Sequence, residues 1–143
     1  MYRKILVALE NSYADENLLL HVAELARHDQ SQLVLLHVAD GWAARCFDQL
    51  QLTESEEMKE DRRYLESTAE KLRATGLPVT ARLALGNPPD EILKAVDLEQ
   101  CDLIALGSHG HRYLADILYG STIAEVRHKS IVPVLTIPAA RKK

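Results

Sequence analysis

The residues best suited to chemistry fall in one stretch, Cys101 to Glu125, which reads C-D-L-I-A-L-G-S-H-G-H-R-Y-L-A-D-I-L-Y-G-S-T-I-A-E. Gly107 and Gly110 are separated by two residues, Gly110 and Gly120 by nine, and Ser121 and Thr122 follow directly. Glycine lets a backbone turn sharply and approach a ligand closely. Free N–H groups at a helix start, with the positive end of the helix dipole, favour an anion. Ser121 and Thr122 would add hydroxyl donors there. Inside the glycine loop, Arg112 offers a guanidinium that matches phosphate oxygens, and His109 and His111 could assist when protonated. The chemistry indicated is the binding of a di- or triphosphate.

Taken singly, these residues have plainer uses. Gly107 could end a strand and Ser121 could cap a helix. The full arrangement behind the apolar run Leu103–Leu106 is more specific than any one glycine. No Gly-Lys-Ser/Thr closes it, so it is not a Walker A loop, and the glycine spacing is not that of a dinucleotide-binding fingerprint. His109-Gly110-His111 could suggest a metal, but the pair lies in a loop without a nearby Cys, and no metal site is expected. Ser108 and His109 are sequence neighbours, not a triad. No set of nucleophile, base and orienting group emerges, so no catalytic residue is assigned.

The elements that must hold this loop alternate in type. Ile5–Leu9 is an apolar strand ending at the turn-like Glu10-Asn11-Ser12. Leu18, Leu19, Val22, Leu25 and Ala26 recur at helical spacing, which predicts a helix over 13–28. Leu33–Val38 is a second buried strand. The segment from Ala39 to Leu52 has no clean period and holds Trp42 and Phe47, as a hydrophobic flap or a cover for a pocket mouth. A capping box, Thr53 with Glu56, opens a predicted helix over 53–75 with an apolar stripe of Met58, Leu65, Ala69 and Leu72, closed by Gly76. The charges from Glu54 to Arg63 read as a solvated face.

Val79–Leu85 alternates apolar and polar residues and suits a sheet edge. Gly86-Asn87-Pro88-Pro89 reads as a turn before a short helix over 90–98. Strand Leu103–Leu106, the glycine loop, a helix over 121–129 and a strand over 132–137 complete the chain. Strands alternating with helices imply an α/β fold, a parallel sheet covered by helices on both faces with right-handed crossovers. Ligands in such folds sit beyond the carboxyl ends of the strands, where the strand order reverses.

Composition sets outer bounds. The 143 residues fit one domain spanning 1–143, with 47% hydrophobic and 27% charged residues. A net charge of −4 argues against nucleic acid as a partner. Cys46 and Cys101 have no Cys-x-x-Cys spacing and are expected to be free thiols in a reducing, cytoplasmic setting. No signal peptide and no apolar run of the ~20 residues needed to span a bilayer is expected.

The segment G-x2-G-x9-G-(S/T), filled by Gly107, Gly110, Gly120 and Ser121, resembles the ATP-binding motif of the universal stress protein family. Met1-Tyr2-Arg3-Lys4-Ile5-Leu6-Val7-Ala8, Leu35-Leu36-His37-Val38 and Val132-Pro133-Val134-Leu135-Thr136-Ile137 are similar to that family's first, second and last strands. The resemblance implies a Rossmann-like, five-stranded sheet in the order 3-2-1-4-5, with a nucleotide crevice between the first and fourth strands. It implies ATP or AMP as ligand, with Mg²⁺ a possible companion. By the same resemblance, Ala8, Val38 and Leu106 line the nucleoside pocket, with Val38 meeting adenine through backbone.

Glu10 stands where the family has an Asp for the ribose hydroxyls and reaches one methylene farther. Asn11 and Ser12 complete that turn. Gly107, His109, Gly110, Arg112, Gly120, Ser121 and Thr122 would serve the phosphates. The expected role is nucleotide-dependent regulation in a stress response, as a homodimer joined through Val132–Ile137, whose Pro133 suits an edge strand. The alternatives are a slow ATPase or nucleotidyl transferase, and a dimeric interaction module that binds no nucleotide.

Overall fold

A computed structural model describes residues 1–39, 56–108 and 115–140, with backbone alone for 56–57 and 115–121. In chain order the elements are β1 (Lys4–Leu9), α1 (Ala14–Asp29), β2 (Gln32–Ala39), α2 (Glu56–Ala74), β3 (Val79–Leu85), α3 (Pro88–Glu99), β4 (Leu103–Ser108), α4 (Ala115–Lys129) and β5 (Val134–Pro138). The strands form one parallel sheet in the order β3-β2-β1-β4-β5. This is the order that the resemblance implies. The order reverses between β2 and β4, on either side of β1, so the carboxyl end of β1 faces a natural crevice.

Side-chain alternation along the central strands divides the core in two. Ile5, Val7 and Leu9 join Leu33, Leu35, Leu103 and Ala105 beneath α1 (Leu18, Val22, Ala26) and α2 (Leu65, Ala69). Leu6, Val34, Leu36, Ile104 and Leu106 meet α3 (Ile92, Ala95, Val96) and Val126 of α4 on the other face. Buried on both sides, these strands are continuous apolar runs. Edge strand β3 is largely half-buried, in keeping with its alternating sequence.

Some expected boundaries move. Helix α3 begins at Pro88 rather than after the prolines, because proline fits the first helical turn, where its missing N–H costs nothing. Strand β5 begins after Pro133, whose carbonyl accepts the Ile104 N–H at 3.0 Å. Gly76 holds a positive φ of 96° just past α2, the stop the sequence indicated. The 54–63 run is not simply a solvated face: Met58 and Asp61 are buried within it. The Thr53 capping box, Trp42, Phe47 and the flap from Asp40 to Leu52 lie outside the described residues.

The largest shift concerns α4, which starts at Ala115 and not at Ser121. Ala115-Asp116-Ile117-Leu118-Tyr119 continues the helical pattern backward. A glycine inside a helix costs only about 1 kcal/mol relative to alanine, so Gly120 does not break it. A helix's unpaired N–H groups lie in its first turn. Here that turn starts at Ala115, so Gly120 and Ser121 sit within the helix rather than at its mouth.

Candidate functional site

A cleft opens at the carboxyl ends of β1, β2 and β4, with about 450 Å³ of empty space, part of it open to solvent. Its lining includes Ala8, Leu36, Val38, Ile92 and Leu106, which make an apolar floor. Register explains the convergence: Ala8 pairs with Leu36 on one side and with Leu106 on the other. The small side chain of Ala8 therefore leaves a depression between two leucines. Pro88 and Ile92 of α3 and Thr122 and Ile123 of α4 form walls, and Glu10, His37 and Gly107 complete the lining.

Six expected residues, Ala8, Glu10, Val38, Leu106, Gly107 and Thr122, thus line one cleft. Asn11 and Ser12 lie beside it in the turn after β1. Gly120 and Ser121 belong to the α4 backbone. His109, Gly110 and Arg112 lie outside the described residues. Gly107 is itself part of β4 rather than a turn, and its backbone has no positive φ. An added Cβ would make ordinary contact with Ala14 of α1, 3.4 Å from its carbonyl oxygen and 3.6 Å from its Cβ.

The turn after β1 is shaped by a carboxylate that the sequence reading passed over. Asp15, 2% exposed, sits in the first turn of α1 and reaches back over the turn. Its carboxylate accepts the N–H of Glu10 at 3.0 Å, of Asn11 at 2.8 Å and of Ser12 at 3.4 Å. The Tyr64 hydroxyl of α2 donates to the same carboxylate at 2.6 Å. Burial, and then the Asp15 carboxylate beside it, push the Tyr64 hydroxyl well above the ordinary tyrosine range, so it remains a proton donor. Ser12 Oγ donates to Glu10 Oε2 at 2.9 Å and accepts the Ala14 N–H at 3.3 Å. Asn11 holds φ of 62°, a left-handed conformation that asparagine tolerates better than most residues.

A second link runs from the same turn through Asp61 of α2. Asn11 Nδ2 donates to Asp61 Oδ1 at 2.9 Å, and His37 Nε2 lies 3.2 Å from Asp61 Oδ2. His37 Nδ1 lies 2.8 Å from the Leu9 carbonyl oxygen. The two ring nitrogens thus face a backbone carbonyl and a carboxylate. His37 is engaged at both nitrogens and is not a poised base.

Asp15, Asp61, Tyr64 and His37, which shape the turn beside the cleft, were not singled out from the sequence. The signals existed: His37 interrupts an apolar strand, and Asp61 falls three residues after Met58 and four before Leu65, on the buried stripe of α2. Among the described residues no group of three or more His, Cys, Asp or Glu side chains could hold a metal ion, and no helix is long and apolar enough to cross a membrane.

Comparison with known proteins agrees with this architecture. The family model of the universal stress protein family matches residues 1–138. Universal stress protein MJ0577 of Methanocaldococcus jannaschii is 29% identical, over 96% of this chain and 95% of its own. The solved structure of MJ0577 superposes with a TM-score of 0.79 at 31% identity, covering 99% of both chains. Universal stress protein D of Escherichia coli is 31% identical over 76% of this chain and 78% of its own. A universal stress protein from Archaeoglobus fulgidus, solved in complex with dAMP, matches with a TM-score of 0.71 at 25% identity, over 95% of this chain and 98% of that one. With its strand order, its glycine motif and these relatives in accord, the chain belongs to the universal stress protein family.

Proposed function

We propose that this protein binds an adenine nucleotide, ATP or AMP, in the cleft between β1 and β4, and acts as a nucleotide-responsive regulator in a stress response. One observation carries the reading. One cleft is lined by the apolar Ala8, Leu36, Val38, Ile92 and Leu106 together with an acceptor, Glu10, and with Gly107 and Thr122. A flat heterocycle suits the floor, a ribose diol suits the carboxylate, and a phosphate chain suits the β4 and α4 side. The dAMP bound to the Archaeoglobus relative supports the same class of ligand.

Electrostatics supports this direction for the phosphates. The positive end of α1 is already matched by the buried Asp15 carboxylate. An anion placed there would meet both Asp15 and Glu10. The β4 side presents Gly107, and His109, Gly110 and Arg112 follow it in the sequence. Mg²⁺ would arrive with the phosphates, since it commonly takes one or two carboxylates plus phosphate oxygens. Glu10 is the carboxylate lining the cleft.

Calorimetric titration with ATP·Mg²⁺ and with AMP tests the reading, after mass spectrometry for nucleotide carried through purification. Binding in the micromolar range is expected. No binding of either ligand would remove it.

A second feature favours self-association. Beside edge strand β5, an apolar groove is lined by Leu25, Leu103, Pro133, Val134, Leu135 and Ile137, among others. An unpaired apolar strand edge invites pairing, and a homodimer through β5 would cover it. Light scattering at micromolar concentration should give twice the chain mass; a monomer alone would contradict this.

A further inference from the structure

The ribose end of the cleft poses a mechanical problem. Glu10 has an additional rotatable bond compared with an Asp, so its carboxylate could sweep past a ribose. A hydrogen bond to a ligand strengthens recognition when its acceptor is held in place before the ligand arrives. In this chain the Glu10 backbone and side chain are both restrained. Its N–H is shared by the two oxygens of Asp15, at 3.0 and 3.2 Å, and its Oε2 accepts the Ser12 hydroxyl at 2.9 Å.

We infer that Asp15 and Tyr64 are positioning residues that fix Glu10 for recognition of the ribose 2′- and 3′-hydroxyls, and so set the preference of the cleft for ribonucleotides over 2′-deoxyribonucleotides. The inference rests on the nucleotide reading above. Asp15 closes the turn through the N–H groups of Glu10, Asn11 and Ser12, and its own carboxylate is held by Tyr64 at 2.6 Å. Tyr64 packs against the apolar core beneath α1 and α2. The clamp therefore ties the turn to the body of α2. The Asn11–Asp61 bond, at 2.9 Å, ties the same turn to α2 a second time.

A carboxylate can accept both hydroxyls of a cis-diol, one on each oxygen. Removing the 2′-hydroxyl removes one of those bonds while leaving the base and phosphates unchanged. The ratio of AMP to 2′-deoxy-AMP affinity therefore reads the placement of Glu10, and a general loss of fold or of cleft shape would not change it.

The experiment is calorimetric titration of the full chain with AMP and with 2′-deoxy-AMP, in the parent protein and in Tyr64→Phe and Asp15→Asn. Tyr64→Phe removes one hydroxyl and keeps the packed ring, so it is expected to fold even if Asp15→Asn does not. The parent should prefer AMP by about tenfold, the equivalent of one good hydrogen bond to a charged acceptor. In both variants AMP, with two hydroxyl bonds to lose, should weaken about tenfold more than 2′-deoxy-AMP, with one, so the preference collapses.

A preference retained in folded Tyr64→Phe overturns the inference, as does an equal loss for both ligands. Equal affinity for both ligands in the parent overturns it while the nucleotide reading stands. No binding of either ligand by the parent overturns both.

Discussion

The two ends of the sheet use the same chemical device for different purposes. At the amino ends of the strands, Asp102 accepts the N–H groups of Arg3 and Lys4 at 3.0 and 3.1 Å, and Asp29 accepts the Tyr2 N–H at 3.0 Å. Glu99 adds ion pairs with Lys4 at 3.1 Å and Arg82 at 2.8 Å. These carboxylates close off the edge where β1 enters the sheet, Asp102 and Glu99 within reach of water. At the carboxyl ends, Asp15 and Asp61 are buried, and their partners are backbone N–H groups, a tyrosine hydroxyl, an asparagine amide and one imidazole. They do not seal that end; they hold a turn beside an open cleft. One end fixes strand β1, while the other fixes a surface for something else to meet.

The largest effect should come from Asp15→Ala. Three N–H groups and the Tyr64 hydroxyl would lose an acceptor in a site that is 2% exposed. A buried donor left without a partner costs on the order of 1–3 kcal/mol. Partial rescue by water at the cleft mouth limits the total, and a loss of about 3 kcal/mol is expected from urea unfolding.

Asp102→Ala removes a comparable clamp, two backbone N–H groups on one carboxylate, at the opposite end. Its Arg3 bond is exposed, so water replaces the carboxylate more easily, and a loss of about 1 kcal/mol is expected. Equal losses in the two variants would break the distinction between a buried and a solvated clamp.

The same contrast explains what was legible in the sequence. The alternation of elements and the core followed from apolar runs such as Ile5–Leu9 and Leu33–Val38, because burial on both faces leaves a plain record in residue type, whereas the strand order came only from the family resemblance. The cleft floor of Ala8, Val38 and Leu106 was legible through the family resemblance, not through residue type alone. The Asp15 clamp was not, because an acidic residue in a first helical turn is ordinary, and nothing local shows that it folds back over Glu10-Asn11-Ser12 or meets Tyr64, 49 residues away.

Asp61 was hidden by its neighbours. Lys59, Glu60, Arg62 and Arg63 are exposed and made the whole run look solvated. Gly120 suggests a helix boundary that α4 does not respect: Ala115–Tyr119 carries no stop signal and the helix runs from Ala115 through Gly120.

The smallest effect, and the one that best separates the two ends, concerns pH. Hydrogen bonds from Arg82 and then from Lys4 hold the Glu99 carboxyl below its ordinary range. A carboxylate whose pKa is lower in the folded state binds fewer protons folded than unfolded. Its contribution is therefore complete above the unfolded value, about 4.3, and is lost as pH falls through the lower folded value.

Both partners of Glu99 remain in contact with water, Lys4 at 26% and Arg82 at 40% side-chain exposure, so screening keeps the gain small. Glu99→Gln should cost roughly 0.5 kcal/mol at pH 7, and less at 1 M salt. As pH falls through the lowered folded value, the parent and Glu99→Gln should converge in urea midpoint, because the parent's carboxyl is then protonated too. Convergence at low pH, with unchanged nucleotide affinity at pH 7, would show that the amino end of the sheet contributes stability without shaping the site. A change in nucleotide affinity would instead mean that strand β1 transmits its anchoring from Lys4 to Glu10, and the two ends would have to be treated as one mechanical unit.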